Sequence, residues 1–320
     1  MEKIVLAADL GGTNLRMAAV DREGNVVFRN RMSTPSHGRL EDIISAIYSV
    51  IDESKRELEG QYEFAAFGAA VPAIVNSQEG KILRSPNLPE LNNFDFAKRF
   101  YSDLGIPVVL ENDANAAAVG ENWKGASQGV RNSIHVTLGT GVGGGIIIDG
   151  TLLRGVDGTA GEIGHIAVEP DGHPCGCGSI GCVEQYASAT AIVRQARSLM
   201  ADHPESMLRS HLDITPLEVY EAGMKGDALS LEVFRLVGRY LGIALGGLVN
   251  VLNPEAIVIG GGASAGWILF IDHLEQEIKR RAFPHPAERV RLMRSELGDD
   301  AGILGAAYLA SEKFARSDRT

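Results

Sequence analysis

Three cysteines are all that this 320-residue chain contains, and an odd number cannot all be paired as disulfides within it. Long apolar runs are missing too, with nothing near the ~18–20 consecutive residues of a membrane span. The segment Met1–Asp9 carries too short an apolar run, ended by an acid, to act as a secretory leader. Positive charge is scarce: the formal net charge is −11, which argues against nucleic acid or an anionic membrane as the main partner. A local basic patch stays compatible with that number. No Walker A pattern occurs, and no G-x-G-x-x-G follows a strand to open a helix. No Pro/Ser-rich linker divides the chain. What is present is an ordinary globular composition, 45% hydrophobic and 22% charged, long enough for about two domains. Reduced thiols without an export signal predict a cytoplasmic protein.

The three thiols lie together, in Cys175-Gly176-Cys177-Gly178-Ser179-Ile180-Gly181-Cys182, ten residues after His165. Three thiols and an imidazole form a Cys₃His set, a common closed tetrahedral zinc site. The intervening glycines let the backbone turn tightly enough for the sulfurs to converge. The alternative is a group of incidental buried thiols.

Strands and helices alternate along the chain, which predicts an α/β class with mixed sheets. Strands are expected at 4–9, 15–20, 26–29, 64–70, 107–110, 133–138, 146–149, 256–259 and 290–294. Helices are expected at 40–58, 95–104, 113–123, 184–200, 215–222, 229–252, 267–280 and 300–315, with 150–182 irregular. A strand, a glycine turn and a return strand occur twice, about 130 residues apart, a repeat of architecture that suggests two related halves facing each other. The expected division is a small domain of residues 1–115 plus 300–320, and a large domain of 116–299 with a zinc-binding segment at 161–184.

Glycine, at 38 residues, gathers in three loops. The first is Asp9-Leu10-Gly11-Gly12-Thr13-Asn14, placed in a hairpin turn. Its glycines can aim backbone N–H groups at a phosphate, Thr13 and Asn14 add donors, and Asp9 is a hard oxygen ligand suited to Mg²⁺. The second, Gly139-Thr140-Gly141 through Gly145, can serve the same phosphates. The third, Gly260-Gly261-Gly262, lies between a strand and a helix, where nucleotides are met. Singly, each reads equally as a plain turn. Together with Asp9 they point to a nucleoside triphosphate straddling two domains. Glu111-Asn112-Asp113 follows a strand and opens a helix. Asn112 or Asp113 is either a helix cap or, in Asp113, a general base that accepts the proton of an attacking hydroxyl in phosphoryl transfer.

Asp9–Arg16, Glu111–Ala118, the AGEIGH run of 160–165 and the C-x-C-G-x-x-G-C-x-E-x-Y-x-S run of 175–188 together resemble the ROK family (repressors, open reading frames and kinases). The resemblance covers nearly the whole chain, and GGTN in the first loop with EQYAS after the cysteines is most similar to its bacterial glucokinases. It implies a two-domain sugar kinase/actin/Hsp70-like (ribonuclease H-like) fold with a cleft between domains. It also implies an ATP-dependent hexose kinase, acting on the 6-hydroxyl of glucose with Asp113 as base. By motif position Asn87, Asn112, Glu162, His165 and Glu184 would bind the sugar, His165 using its second ring nitrogen for zinc beside Cys175, Cys177 and Cys182. Gly11, Gly12, Thr13, Gly139, Thr140 and Gly141 would hold ATP phosphates, with Gly261 and Gly262 against the adenosine. A homodimer is implied as well, for which 241–252 offers an apolar face that core packing explains equally. Domain closure on the sugar is expected.

Two departures bear on the sugar. Val71-Pro72-Ala73-Ile74-Val75-Asn76 replaces a V-P-G-P-V-D-like run, and Glu90-Leu91 replaces Gly-Trp after Pro-Asn-Leu-Pro. Other sugars of the family (N-acetylmannosamine, N-acetylglucosamine, fructose, allose) are therefore alternatives. A sugar-responsive transcriptional regulator is a further one, disfavoured by the first strand's starting at Ile4, which leaves no room for a preceding helix-turn-helix, and by the chain's acidity.

Overall fold

The computed structural model describes residues 1–36 and 38–317; the last three residues of the expected 300–320 segment lie outside these. In chain order the elements are β1 (Glu2–Leu10), β2 (Asn14–Val20), β3 (Val26–Ser33), α1 (Leu40–Glu57), β4 (Tyr62–Val71), β5 (Ile74–Asn76), β6 (Lys81–Arg84), α2 (Phe96–Leu104), β7 (Val108–Asn112) and α3 (Asp113–Lys124). There follow β8 (Ser133–Leu138), β9 (Val142–Ile148), β10 (Thr151–Leu152), α4 (Glu184–Ala187), α5 (Ala189–Leu199), α6 (Pro216–Met224) and α7 (Ala228–Leu252). The chain closes with β11 (Ala256–Gly260), α8 (Trp267–Arg281), α9 (Pro284–Arg289), β12 (Arg291–Arg294) and α10 (Ala301–Ser317). Two compact units result: residues 1–129, 145–161 and 297–320, and residues 130–144 and 162–296.

In the first unit, a five-stranded sheet has the order β3-β2-β1-β4-β7. β1, β2 and β3 form an antiparallel meander, while β4 and β7 continue parallel to β1. β1 is buried almost throughout, as expected of a strand covered on both faces. One face packs the apolar stripe of α1 (Ile43, Ile47, Ile51) and the Phe67, Phe96 and Phe100 rings. The other packs α10 through Ile303, Ala306, Ala307 and Ala310. Where α10 crosses α3, Gly305 lies so close to the Ala116 carbonyl that a Cβ would sit 1.7 Å from its oxygen, so the absent side chain lets the helices touch by backbone.

The second sheet has the order β10-β9-β8-β11-β12, with β8, β11 and β12 mutually parallel and β9 and β10 antiparallel. Two sheets thus share one strand order, three consecutive strands followed by two from later in the chain, and each contains one of the two strand–turn–strand repeats. In the second unit α7 buries Leu241, Leu245 and Val249 and packs along α8, so this apolar face is core within the chain itself.

Three sequence expectations are corrected. Residues 142–145 are not loop but the start of β9; only Gly139–Gly141 turn, closed by Gly139 N–H donating to the Gly141 carbonyl at 2.9 Å. The helix expected over 184–200 is two, because Ser188 adopts an extended backbone and caps α5 by accepting from Ala191 N–H. The stretch 150–182 is not wholly irregular: β9 and β10 form a hairpin through Asp149-Gly150, both with positive φ, as a two-residue type I′ turn requires.

Candidate active site

The register of the first sheet places Asp9 opposite Ala70 and Ala70 opposite Glu111. The row Asp9–Ala70–Glu111 therefore lies near the carboxyl ends of three neighbouring parallel strands, about 5 Å per strand, and Leu10, Val71 and Asn112 end those strands one residue later, along one edge. That edge is where open α/β sheets take their ligands. Asp9 is half-buried, and its Oδ2 pairs with Arg16 Nη1 at 3.3 Å. Burial pushes its carboxyl up, against the Arg16 guanidinium, which pulls it down. A Cβ on Gly302 would lie 3.5–3.7 Å from the Asp9 carboxylate, so Asp9 sits over the first turn of α10, where the helix dipole favours negative charge.

Gly11 and Gly12 form the tight turn between β1 and β2. Gly11 N–H donates to the Asn14 carbonyl at 2.8 Å, and the buried Thr34 donates its hydroxyl to the Gly11 carbonyl at 2.7 Å. Thr13 is exposed at the tip. Asn14 lies in β2, and its Oδ1 accepts from Arg31. Asn87 is exposed beside Gly12, whose Cβ would meet that of Asn87 at 3.4 Å.

At β7 the two readings of 111–113 are both realised, by different residues. Asn112 is the cap: its Oδ1 accepts from Ala114 N–H at 2.9 Å and Asn115 N–H at 3.1 Å, and its Nδ2 donates to the Ala73 carbonyl at 3.2 Å. Asp113 is the first helical residue, and its Oδ1 accepts from the adjacent Ala114 N–H at 2.9 Å. Glu111, buried, ties the turn from behind. Its carboxylate accepts from Asn112 N–H at 3.1 Å, Asn115 Nδ2 at 3.2 Å and Arg154 Nε at 2.8 Å.

In the second unit, Gly139–Gly141 follow the carboxyl end of β8, and Gly261-Gly262 follow that of its parallel neighbour β11. Thr140, Gly261 and Gly262 are exposed. Ala189 N–H donates to the Gly139 carbonyl at 2.8 Å, and the Thr190 hydroxyl to the Thr140 carbonyl at 3.0 Å. Glu184 reaches the same turn. Its Oε2 accepts from Val142 N–H at 3.1 Å, and a Cβ on Gly141 would stand 2.3 Å from that oxygen. Glycine at 141 is what allows the carboxylate to lie there.

The cysteines and His165 do converge. Their four ligand atoms lie within 4.8 Å of one another; Cys177 and Cys182 sulfurs are 3.7 Å apart, and Cys175 Sγ is 3.6 Å from His165 Nδ1. A zinc tetrahedron with Zn–S of about 2.3 Å has edges of roughly 3.8 Å, so the donor set and its spacing fit that ion. Burial pushes the Cys182 thiol up to about 12, and a dication is what would hold such a thiol as thiolate. An isolated bridge between Ala167 and Cys182 ties the segment just after His165 to the cysteines. From this knot both carboxylates are reached in one step: His165 Nε2 is 3.8 Å from Glu162 Oε2, and Cys175 Sγ is 3.8 Å from Glu184 Oε1. Glu162 is exposed and spends no bond on capping its short 3₁₀ turn.

The sequence profile of the ROK family matches residues 5–313. The chain belongs to the ROK family. Among ROK proteins, a glucokinase from Halalkalibacterium halodurans is 36% identical over 317 residues, covering 96% of this chain and 95% of that one. The structure of a ROK family glucokinase from Streptomyces griseus in complex with glucose and AMPPNP is similar at TM-score 0.81 and 35% identity, covering 97% of this chain and 99% of that one. A ROK family transcriptional regulator, a homolog of the E. coli MLC protein, is similar at TM-score 0.89 and 30% identity, covering 98% of this chain and 79% of that one. Among the described residues no helix is long and apolar enough to cross a membrane.

Four residues around these ROK motifs carry bonds to which the sequence assigned no role. Arg16 was readable in principle, since a hairpin turn at 11–13 sets it opposite Asp9. Thr34, Glu111 and Arg154 were not: their bonds join segments 23 and 43 residues apart, which no local pattern encodes.

Proposed function

We propose that this ROK protein is an ATP-dependent hexose kinase that phosphorylates the 6-hydroxyl of glucose. The observation that carries the reading is Asp113: a carboxylate in the first turn of α3, at the carboxyl end of β7, on a helix that Asn112 caps and Glu111 braces. The relationship to glucokinases over nearly the full length of both chains supports it.

Asp113 accepts the proton of the 6-hydroxyl as that oxygen attacks the γ-phosphorus of ATP, and the bond to the ADP oxygen breaks. Gly12, Thr13, Thr140 and Gly141 offer backbone and hydroxyl donors to the phosphates, and Gly11 and Gly139, whose N–H groups close the two turns, let the backbone approach them. Gly261 and Gly262 take the adenosine. Asn87, Asn112, Glu162, His165 and Glu184 read the sugar's hydroxyls. Asp9 suits magnesium, because one of its oxygens takes no protein hydrogen bond among the described residues and the ion keeps most of its waters. Magnesium, when bound, supplies counter-charge to the β- and γ-phosphates. Cys175, Cys177, Cys182 and, through Nδ1, His165 would hold a structural zinc, which would leave the histidine's Nε2 to a sugar hydroxyl. The proposal extends to a cytoplasmic homodimer acting in glycolysis.

Ala73 and Glu90-Leu91 make the identity of the hexose the point to test. With ATP and metal-replete protein, glucose is expected to give the highest kcat/KM among glucose, fructose, allose, N-acetylglucosamine and N-acetylmannosamine. A tenfold preference for another sugar replaces glucose as substrate. The similarity to the regulator favours a second reading, a sugar-responsive repressor; specific DNA retardation in a gel-shift assay, with no phosphoryl transfer to any sugar, would establish it.

A further inference from the structure

The first unit holds a cavity of about 660 Å³ bounded by α3, α10 and the β9–β10 hairpin. Neither Asn112 nor Asp113 lines it, but Glu111 does, because alternate residues of a strand face opposite ways. The volume is that of a small-molecule site.

We propose that this cavity is a second ligand site, for a small molecule bearing a phosphate or like oxyanion, and that its occupancy reports to Asp113. Arg154 stands in the wall with 31% of its side chain exposed, and only its Nε is spent, on Glu111. Its two terminal nitrogens make no protein hydrogen bond among the described residues. A planar guanidinium with free donors is the group best shaped to receive an oxyanion. Beside it Trp123 and Tyr308 form an aromatic wall, ring centroids 5.3 Å apart. The amides of Gln78 and Gln128 line the rim. That combination suits a polar, ring-sized body carrying the anion. Lys313 and Glu312 add one charge of each sign, and Glu111 offsets the charge of Arg154, so selectivity rests on the two unspent donors of the guanidinium rather than on net charge.

The route to Asp113 is short. The carboxylate that holds Arg154 also holds Asn112 N–H and Asn115 Nδ2, and Asn112 caps the helix that Asp113 begins. An anion at the terminal nitrogens of Arg154 shares the guanidinium's charge with Glu111, which holds Nε. Glu111 is buried, so a weakened pair leaves its charge poorly compensated and the turn must readjust. The expected consequence is a lower kcat with both KM values unchanged. This kinetic half rests on the kinase reading; the binding half does not.

The test is a calorimetric titration of the full chain, saturated with glucose and AMPPNP so that the sites assigned above are filled. Inorganic phosphate and glucose 6-phosphate are the probes. One saturable site is expected. Tighter binding of the sugar phosphate assigns the ring body; equal affinities assign the bare oxyanion. Gln128→Glu, which sets a negative charge at the rim, should weaken binding about tenfold. Thr151→Trp, which fills the cavity, should abolish it. Both variants should keep kcat within twofold when no oxyanion is added. No saturable heat, or binding that neither variant alters, overturns the site. Binding that both variants remove, with kcat of the wild type indifferent to the probes, overturns the link to Asp113.

Discussion

The two sheets share one strand order, yet what hangs on their carboxyl ends is held in different ways. On the first, Asp9, Asn112 and Asp113 are set by strand register, a helix cap and a buried carboxylate. Beside the second, Glu162 and His165 stand on a short 3₁₀ turn and Glu184 opens the one-turn helix α4, and their mutual placement runs through sulfur, imidazole and one isolated bridge. Regular backbone fixes a side chain by bonds that no single substitution removes. A knot of side chains fixes it by a few contacts whose loss is felt at once. The same kind of change should therefore have different consequences in the two places.

The largest effect is expected in the first region, and it should be purely chemical. Asp113→Asn keeps the shape and the acceptor for Ala114 N–H but removes the base. We expect kcat to fall by about 10²–10⁴, with Tm unchanged within a degree or two. Coupled-assay kinetics and a circular dichroism melt check this. More than a tenth of wild-type kcat would remove Asp113 from the base's role, and a large fall in Tm would show that the strand–cap–helix frame depends on it.

Next comes the knot. Cys177 is the exposed thiol of the three, so Cys177→Ser perturbs packing least. The expected outcome is loss of bound zinc by mass spectrometry and a rise in sugar KM of about 10–100-fold. Faster amide exchange should be confined to 162–184, with 1–129 unchanged. Loosening of both regions alike would mean that the contrast drawn between them is false. Full zinc with normal KM would remove Cys177 from the ligand set.

How much of this was legible beforehand follows the same divide. The hairpin at 11–13, the helix opening at Asp113 and the Cys₃His set are local patterns, and each stands where its residues indicated. The start of β9 was misread because glycine at 143–145 suggests loop. There the glycines serve close backbone approach: a Cβ on Gly145 would stand 2.5 Å from that of Ala118. The Asp149-Gly150 turn was a strong hairpin signal passed over. The Glu111–Arg154 pair and the Glu184 contact with Val142 were illegible, since each depends on which distant segment the fold delivers.

A tenfold effect should separate two neighbouring glycines of the second loop. A Cβ at Gly139 would meet nothing within 4 Å, whereas one at Gly141 would lie 2.3 Å from Glu184 Oε2. Gly139→Ala should leave kinetics within twofold. Gly141→Ala must displace the Glu184 carboxylate, raising KM for both sugar and ATP roughly tenfold, the scale of about 1.4 kcal/mol. Equal behaviour of the two variants would show that Glu184 does not join the sugar-reading group to the phosphate turn.

The smallest effect tests the corresponding brace in the first region. Thr34 is buried, and its hydroxyl donates to the Gly11 carbonyl at 2.7 Å while its own N–H donates to Thr13. Thr34→Val keeps the volume and the backbone bond and deletes only the hydroxyl. One neutral hydrogen bond is worth about 1 kcal/mol, so KM for ATP should rise some three- to fivefold, a range that follows from ~0.6–1 kcal/mol. Sugar KM should stay put, because the first loop is bounded by strand register on both sides. A sugar KM that moved as far as the ATP value would mean that this loop, like the knot, is held by single side-chain contacts rather than by its sheet.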